Sequence, residues 1–152
     1  MKQAFRDYFQ KIGLTSEARQ KRLFELYHVA TRFFPEEIGD VFISQTDDEK
    51  GAVGSGDSLW FFSKNHCLEA REFLDRNDFE IHDTHGLQNL RVIAENFDLQ
   101  KFATDNDHGA KATMIVEFNP PRGGRSQLHA YGQNCAKLAA VALEYLTPSI
   151  NE

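Results

Sequence analysis

The sequence predicts an α+β fold: two N-terminal helices, then about seven antiparallel strands forming a barrel or sandwich, and a closing C-terminal helix. Three observations predict it. Apolar residues recur at helical spacing up to Phe34, and again from Asn134 to Leu146. Between Asp40 and Tyr131 they fall in short runs, most of them alternating with polar residues. Turn-forming residues punctuate those runs regularly, which favours a meander over βαβ units.

Each element has its own signal. Phe5, Tyr8, Phe9 and Ile12 share one helical face, and Gly13 is a natural stop because it tolerates a left-handed backbone. Thr15 or Ser16 can cap the next helix, with Glu17 favourable in its first turn. That helix is expected to reach Phe34, with Leu23, Leu26, Tyr27, Ala30, Phe33 and Phe34 as its stripe and Pro35 after it. Val41-Phe42-Ile43 begins the strands. Leu59-Trp60-Phe61-Phe62 is a continuous apolar run, as a strand buried on both faces would be. Leu68 and Ala70 alternate with Glu69 and Arg71, Phe79 and Ile81 with Glu80 and His82, and Leu90, Val92 and Ala94 with Arg91 and Glu95. Ala112 to Phe118 is the clearest strand, and Leu128 to Tyr131 the last. Turns are expected at Ser63-Lys64-Asn65, Arg76-Asn77-Asp78, Thr84-His85-Gly86, Asp105 to Gly109 and Asn119 to Gly124. The final helix carries Cys135, Leu138, Ala139, Ala142, Leu143 and Leu146 on one stripe, and Pro148 ends it.

At 152 residues the chain is expected to form a single domain, with residues 1–35 as a helical pair and 40–147 as the strand-and-helix unit. The formal charge of −6 argues against general nucleic-acid or anionic-membrane binding, which needs phosphates neutralised by Lys and Arg. Cys67 and Cys135 lie in apolar runs and read as free thiols of a reducing compartment. The N-terminal segment lacks the uninterrupted apolar stretch of a signal peptide, and no window approaches a membrane span of ~20 apolar residues. A cytoplasmic protein without integral membrane association is the expectation. The 13 phenylalanines are spread through the chain, as in a Phe-rich core rather than an aromatic ligand box.

Seven antiparallel strands followed by a helix resembles the pleckstrin-homology-like (PH-like) fold, in which the helix plugs one end of two orthogonal sheets. The resemblance covers Asp40 to Leu146 and rests on element order. Many members carry a tryptophan in the closing helix, whereas here Trp60 lies in a strand. Phosphoinositide-binding members carry basic residues around the first two strands. Here the connecting loop reads Thr46-Asp47-Asp48-Glu49-Lys50, which argues against phosphoinositide.

Several motifs carry possible chemistry. Gly56-Asp57-Ser58-Leu59 spells the signature of GDSL hydrolases, and Asp105-Asn106-Asp107-His108 supplies an Asp-x-x-His. A nucleophile also needs a base in reach and an oxyanion hole, and the segment before Ser58 reads as a solvated loop. His82-Asp83-Thr84-His85 resembles a metal-binding turn, but on a strand its two histidines would face opposite ways, and paired ligands are missing. Asp105, Asp107 and Gly109 echo a calcium loop whose closing position is Val116 rather than glutamate. Neither catalytic residues nor metal ligands nor a cofactor are assigned. Arg122-Gly123-Gly124-Arg125 is the one compact basic spot, and Arg122 and Arg125 are the candidate ligand-binding residues, suited to phosphate or carboxylate. Arg19, Lys21, Arg22 and Arg32 decorate the second helix and could steer an acidic partner. The leading function is a non-catalytic binding or adaptor module for a protein or peptide, engaged by strand addition. The alternatives are a small hydrolase built on Ser58, His82, His85 and His108, and an acidic immunity-type protein that neutralises a basic one.

Overall fold

Amphipathic spacing makes the first two helices, α1 (Lys2–Lys11) and α2 (Glu17–Ala30). Gly13, at φ 74°, turns the chain between them. Ser16 caps α2, its hydroxyl accepting from the Arg19 amide. Seven strands follow among the described residues: β1 (Asp40–Ser44), β2 (Ser58–Phe62), β3 (His66–Glu72), β4 (Asn77–Asp83), β5 (Leu90–Glu95), β6 (Thr113–Phe118) and β7 (Ser126–Tyr131). Helix α3 (Asn134–Val141) continues into a π-helical turn, Ala142–Leu146. The structure, a computed structural model, describes residues 2–45, 57–72, 76–87, 89–98, 100, 111–120 and 124–147.

All pairings are antiparallel, in two sheets ordered β1-β2-β3-β4 and β5-β6-β7. Both sheets are open, so the α+β expectation takes the form of a sandwich and not of a closed barrel. Among the described residues they are stitched together where the end of β1 meets β7. There the Gln45 amide donates to the His129 carbonyl at 2.9 Å, and the His129 amide to Ser44 Oγ at 2.9 Å.

The molecule has three layers. Phe42, Trp60, Phe62 and Cys67 pack with β6, β7 and α3 in one core. Ile43, Leu59, Phe61, Leu68 and Ala70 pack against α1 and α2 in another. The four-stranded sheet is therefore covered on both faces. That accounts for the unbroken run Leu59-Trp60-Phe61-Phe62, whose alternate side chains enter different cores.

Three local expectations are corrected. Helix α2 stops at Ala30 instead of reaching Phe34: turn-type hydrogen bonds follow, and Phe33 is left 52% exposed beside Phe79. Asn77 and Asp78 are not a turn but the start of β4, held in the ladder opposite Glu72 and Arg71. Leu143 is 76% exposed although the sequence placed it on the buried stripe. At about 100° per residue it stands at the stripe's edge, and Val141 fills the core in its place. No helix among the described residues is long and apolar enough to cross a membrane.

Candidate functional site

Strand alternation decides which side chains can meet. Glu69 lies opposite Trp60 and Glu80, Arg71 opposite Ser58 and Asp78, and Cys67 opposite Phe62 and His82. Directly opposed residues share a face, so all of these project from the side of the sheet that faces β5-β6-β7. On that inner face β1 and β2 contribute the apolar Phe42, Trp60 and Phe62, and β3 and β4 contribute Glu69, Arg71, Asp78 and Glu80. Arg71 approaches Asp78 at 3.5 Å, Glu80 at 3.7 Å and Glu69 at 3.9 Å. The indole N–H of Trp60 donates to Ser58 Oγ at 3.2 Å, and the Ser58 hydroxyl donates to Glu69. Burial pushes Glu69 up to about 6, with Arg71 opposing that and Glu80 and Asp78 adding to it. His82 is only 6% exposed, its ring edge-on to Phe118. Burial lowers its pKa, so the imidazole is neutral at neutral pH.

A second polar centre ties loops together. Glu36 accepts from the Ser63 hydroxyl at 2.5 Å, from His66 Nδ1 at 2.6 Å and from Asn65 Nδ2 at 2.8 Å. Asn65 Oδ1 in turn meets His85 Nε2 at 2.6 Å. The Ser63 and His66 hydrogen bonds drive the Glu36 carboxyl down to about 2. This constellation holds a histidine in a fixed orientation by a carboxylate. Its serine, however, donates to that same carboxylate and not to the imidazole, so the three groups do not form a serine–histidine–carboxylate relay.

A third feature is an open cleft of about 290 Å³ between α1, the Ile38–Val41 entry to β1, and α3. Lys137 and Asp40, 2.5 Å apart, lie in its lining. Half-buried Tyr8 is also in its lining, donating to Asn134 at 2.8 Å and accepting from the Ile43 amide at 2.9 Å. Burial holds the phenol above its usual range, so Tyr8 serves here as a neutral tie between α1, β1 and α3.

The strand edges complete the picture. Away from the β1/β7 seam, β4 and β5 each pair on one side only among the described residues. Strand β4 carries Asp78, Glu80 and Asp83, charges of the kind that blunt an edge against strand addition. Strand β5 carries Val92-Ile93-Ala94 at its centre. Val92 sits opposite Val116, which is fully buried, and so faces the same side, yet Val92 is 51% exposed. On that face Val92 is left accessible at the middle of β5, while Leu90 packs against the core.

No family model, curated protein or solved structure matches this chain.

The residues singled out from the sequence are not gathered in one place. Ser58 pairs with Arg71 and His82 with Cys67, on the order of 13 Å apart along the ladder. His85 lies beyond β4, bonded to Asn65. His108, Gly56, the Asp105 to Gly109 segment, the acidic Asp47 to Glu49 loop and Arg122 lie outside the described residues. Arg125 is exposed and 3.6 Å from Glu117, which also meets Arg91 at 3.5 Å and accepts from Gln127. Arg19 of the basic stripe grips Asp57 with two bonds of 2.7 and 2.8 Å, and Arg22 is 3.9 Å from Glu72, so much of that stripe fastens α2 to the sheet. Cys67 and Cys135 are free and buried, and burial pushes them up to about 12 and about 11, which leaves both as thiols at neutral pH. Among the described residues no group of His, Cys, Asp or Glu is arranged to hold a metal ion.

The sequence missed Glu36 because one of two adjacent acids after a proline, Glu36-Glu37, carries no periodic signal. It separated Glu69, Arg71, Glu80 and His82 from the apolar positions by alternation. Alternation does not say that the polar set faces the other sheet while Leu68, Ala70 and Phe79 face the helices.

Proposed function

We propose that the chain is a non-catalytic binding module of PH-like architecture that takes up an extended segment of a protein partner as an added strand along β5. The observation that carries this is the half-exposed, core-facing Val92 on a strand that pairs on one side only among the described residues. An added strand would gain main-chain hydrogen bonds from the β5 edge and place alternate side chains in the open space beneath it. Of the two edges, β5 is the one without a row of carboxylates, so it is the one suited to pairing. Such binding needs no catalytic residue, in keeping with Ser58 having no histidine in reach among the described residues.

The test is a displayed library of random peptides selected against the protein, followed by amide titration of the isotope-labelled chain. Selected peptides are expected to shift the Leu90–Glu95 amides first. Val92→Lys is expected to weaken them about tenfold or more while leaving the melting temperature within a degree or two, because Val92 is already half in water. Peptides that shift amides elsewhere, or that bind Val92→Lys as well as wild type, would sink this assignment.

A further inference from the structure

We infer that the strand added along β5 is the β5 of a second copy of this chain, which makes a two-fold dimer in which each Arg91 faces the partner's Glu95. The inference rests on the strand-addition reading above and names its partner.

The first observation is the state of the strand. No residue of Leu90–Glu95 is fully buried, and β6 accounts for all the pairing of β5 among the described residues. The strand presents an apolar centre, Val92-Ile93-Ala94, between a base, Arg91, and an acid, Glu95. An edge of that kind is a template for another strand. Asn96, at φ 58°, takes the left-handed backbone directly after Glu95 and ends the strand there. The length offered for pairing is therefore Leu90 to Glu95.

The second observation is the charge on one face. Arg91, Ile93 and Glu95 oppose Glu117, Ile115 and Thr113 of β6, whereas Leu90, Val92 and Ala94 oppose Phe118, Val116 and Met114 of the core. Arg91 and Glu95 thus stand on the same side of the sheet, turned away from the core. The Arg91 side chain is 69% exposed, and its 3.5 Å contact with Glu117 is longer than the ~2.7–2.9 Å of a tight charge-assisted bond. Glu117 also meets Arg125 and Gln127. Glu95 is exposed and has neither a hydrogen bond nor an ion pair among the described residues.

Symmetry then selects the register. Two copies of one strand that extend a sheet antiparallel are related by a two-fold axis perpendicular to it, and opposed residues share a face. The axis must then pass through a residue, because an axis between two residues would oppose side chains of different faces. An axis through Ile93 sets Arg91 against the partner's Glu95, Glu95 against the partner's Arg91, and Val92 against the partner's Ala94. An axis through Val92 would set Arg91 against the partner's Ile93, and one through Ala94 would leave Arg91 beyond the paired stretch. The register centred on Ile93 is thus the one that joins opposite charges, and it does so twice. It also places an apolar neighbour beside Val92, which is half in water in the single chain. A second β4, by contrast, would bring another Asp78, Glu80 and Asp83 to an edge that already carries them.

The experiment is sedimentation velocity of the full chain over a wide range of concentration. Salt at about 0.15 M, with a Debye length of about 8 Å, screens the repulsion between two chains of charge −6. Wild type is expected to show a monomer–dimer equilibrium, and dilution of the isotope-labelled protein to shift the Leu90–Glu95 amides. Glu95→Arg sets like charges against each other twice and should weaken dimerisation about tenfold or more, as should Arg91→Glu. An equal mixture of the two variants should restore it, because each reversed side chain then faces one of opposite sign. Arg91 neighbours buried Glu117, so thermal melts accompany both variants. Glu95 faces Thr113, and its reversal decides the matter if Arg91→Glu melts early. A monomer at every concentration, a dimer that Glu95→Arg leaves unchanged, or a mixture of two folded variants no stronger than either alone would overturn the inference. A monomer that takes selected peptides on β5 would remove the dimer and leave strand addition standing. A monomer whose β5 amides answer neither dilution nor peptides would remove both.

Discussion

Glu36 belongs to no helix or strand, yet it holds Ser63, Asn65 and His66 of the β2–β3 turn, and through Asn65 it reaches His85 after β4. All these bonds favour the ionised carboxylate. Its folded pKa of about 2 lies below the ordinary value of 4.5, so its stabilising effect is complete above pH 4.5 and disappears as pH falls from there toward 2. Acid melts should show wild type losing stability through that window, and Glu36→Gln, weaker at neutral pH, losing less. Parallel pH dependence of the two proteins between pH 4.5 and 2 would contradict this account.

At the scale of an element, the closing helix shows how far a stripe can be trusted. Leu138 and Leu146 are fully buried, whereas Leu143 stands in solvent at the start of the π-helical turn. Leu138→Ala should therefore cost about 2–5 kcal/mol, and Leu143→Ala no more than about 0.5 kcal/mol. Denaturant unfolding of the two variants decides it, and equal losses would mean that Leu143 packs after all. The helix is also bound by polar ties. Asn134, fully buried, donates to the Ile43 carbonyl at 2.8 Å and to Gln45 Oε1 at 3.0 Å while accepting from Tyr8. Its side chain thereby joins α3 to β1 and α1, at the edge of β1 that strand β2 leaves unpaired.

At the scale of the whole molecule, α1 and α2 form an outer layer of the core. Ile43, Leu59, Phe61 and Leu68 on the sheet meet Phe5, Leu23, Leu26 and Tyr27 on the helices. Burying each such side chain stabilises by about 1.5–3 kcal/mol, against a typical net stability of about 5–15 kcal/mol. A fragment that begins at Gly39 should therefore self-associate, bind a hydrophobic dye and lose its sharp thermal transition. A monomeric fragment with a cooperative melt would show that the strand unit folds without its helical layer.

How much of this was legible in the sequence depends on the range of the interaction that decides it. Local periodicity was enough for all seven strands, for both N-terminal helices and for the end of α1 at Gly13, because side-chain direction repeats every 2 or 3.6 residues whatever lies beyond. The run Leu59 to Phe62 even implied a strand covered on both sides. The sequence alone also settled the acidic charge. Other features depend on partners far along the chain. Which face of β3 and β4 meets the helices, the isolation of Ser58 from His82 and His85, the buried Nε2 of His82, and the edge of β5 that is unpaired among the described residues all follow from register and layer order. Those are set by packing between segments tens of residues apart, where one face of a strand gains an apolar neighbour and the other does not. The tertiary structure alone therefore decided that the alternating charges of β3 and β4 stand on the side of the second sheet and not on the side of the helices.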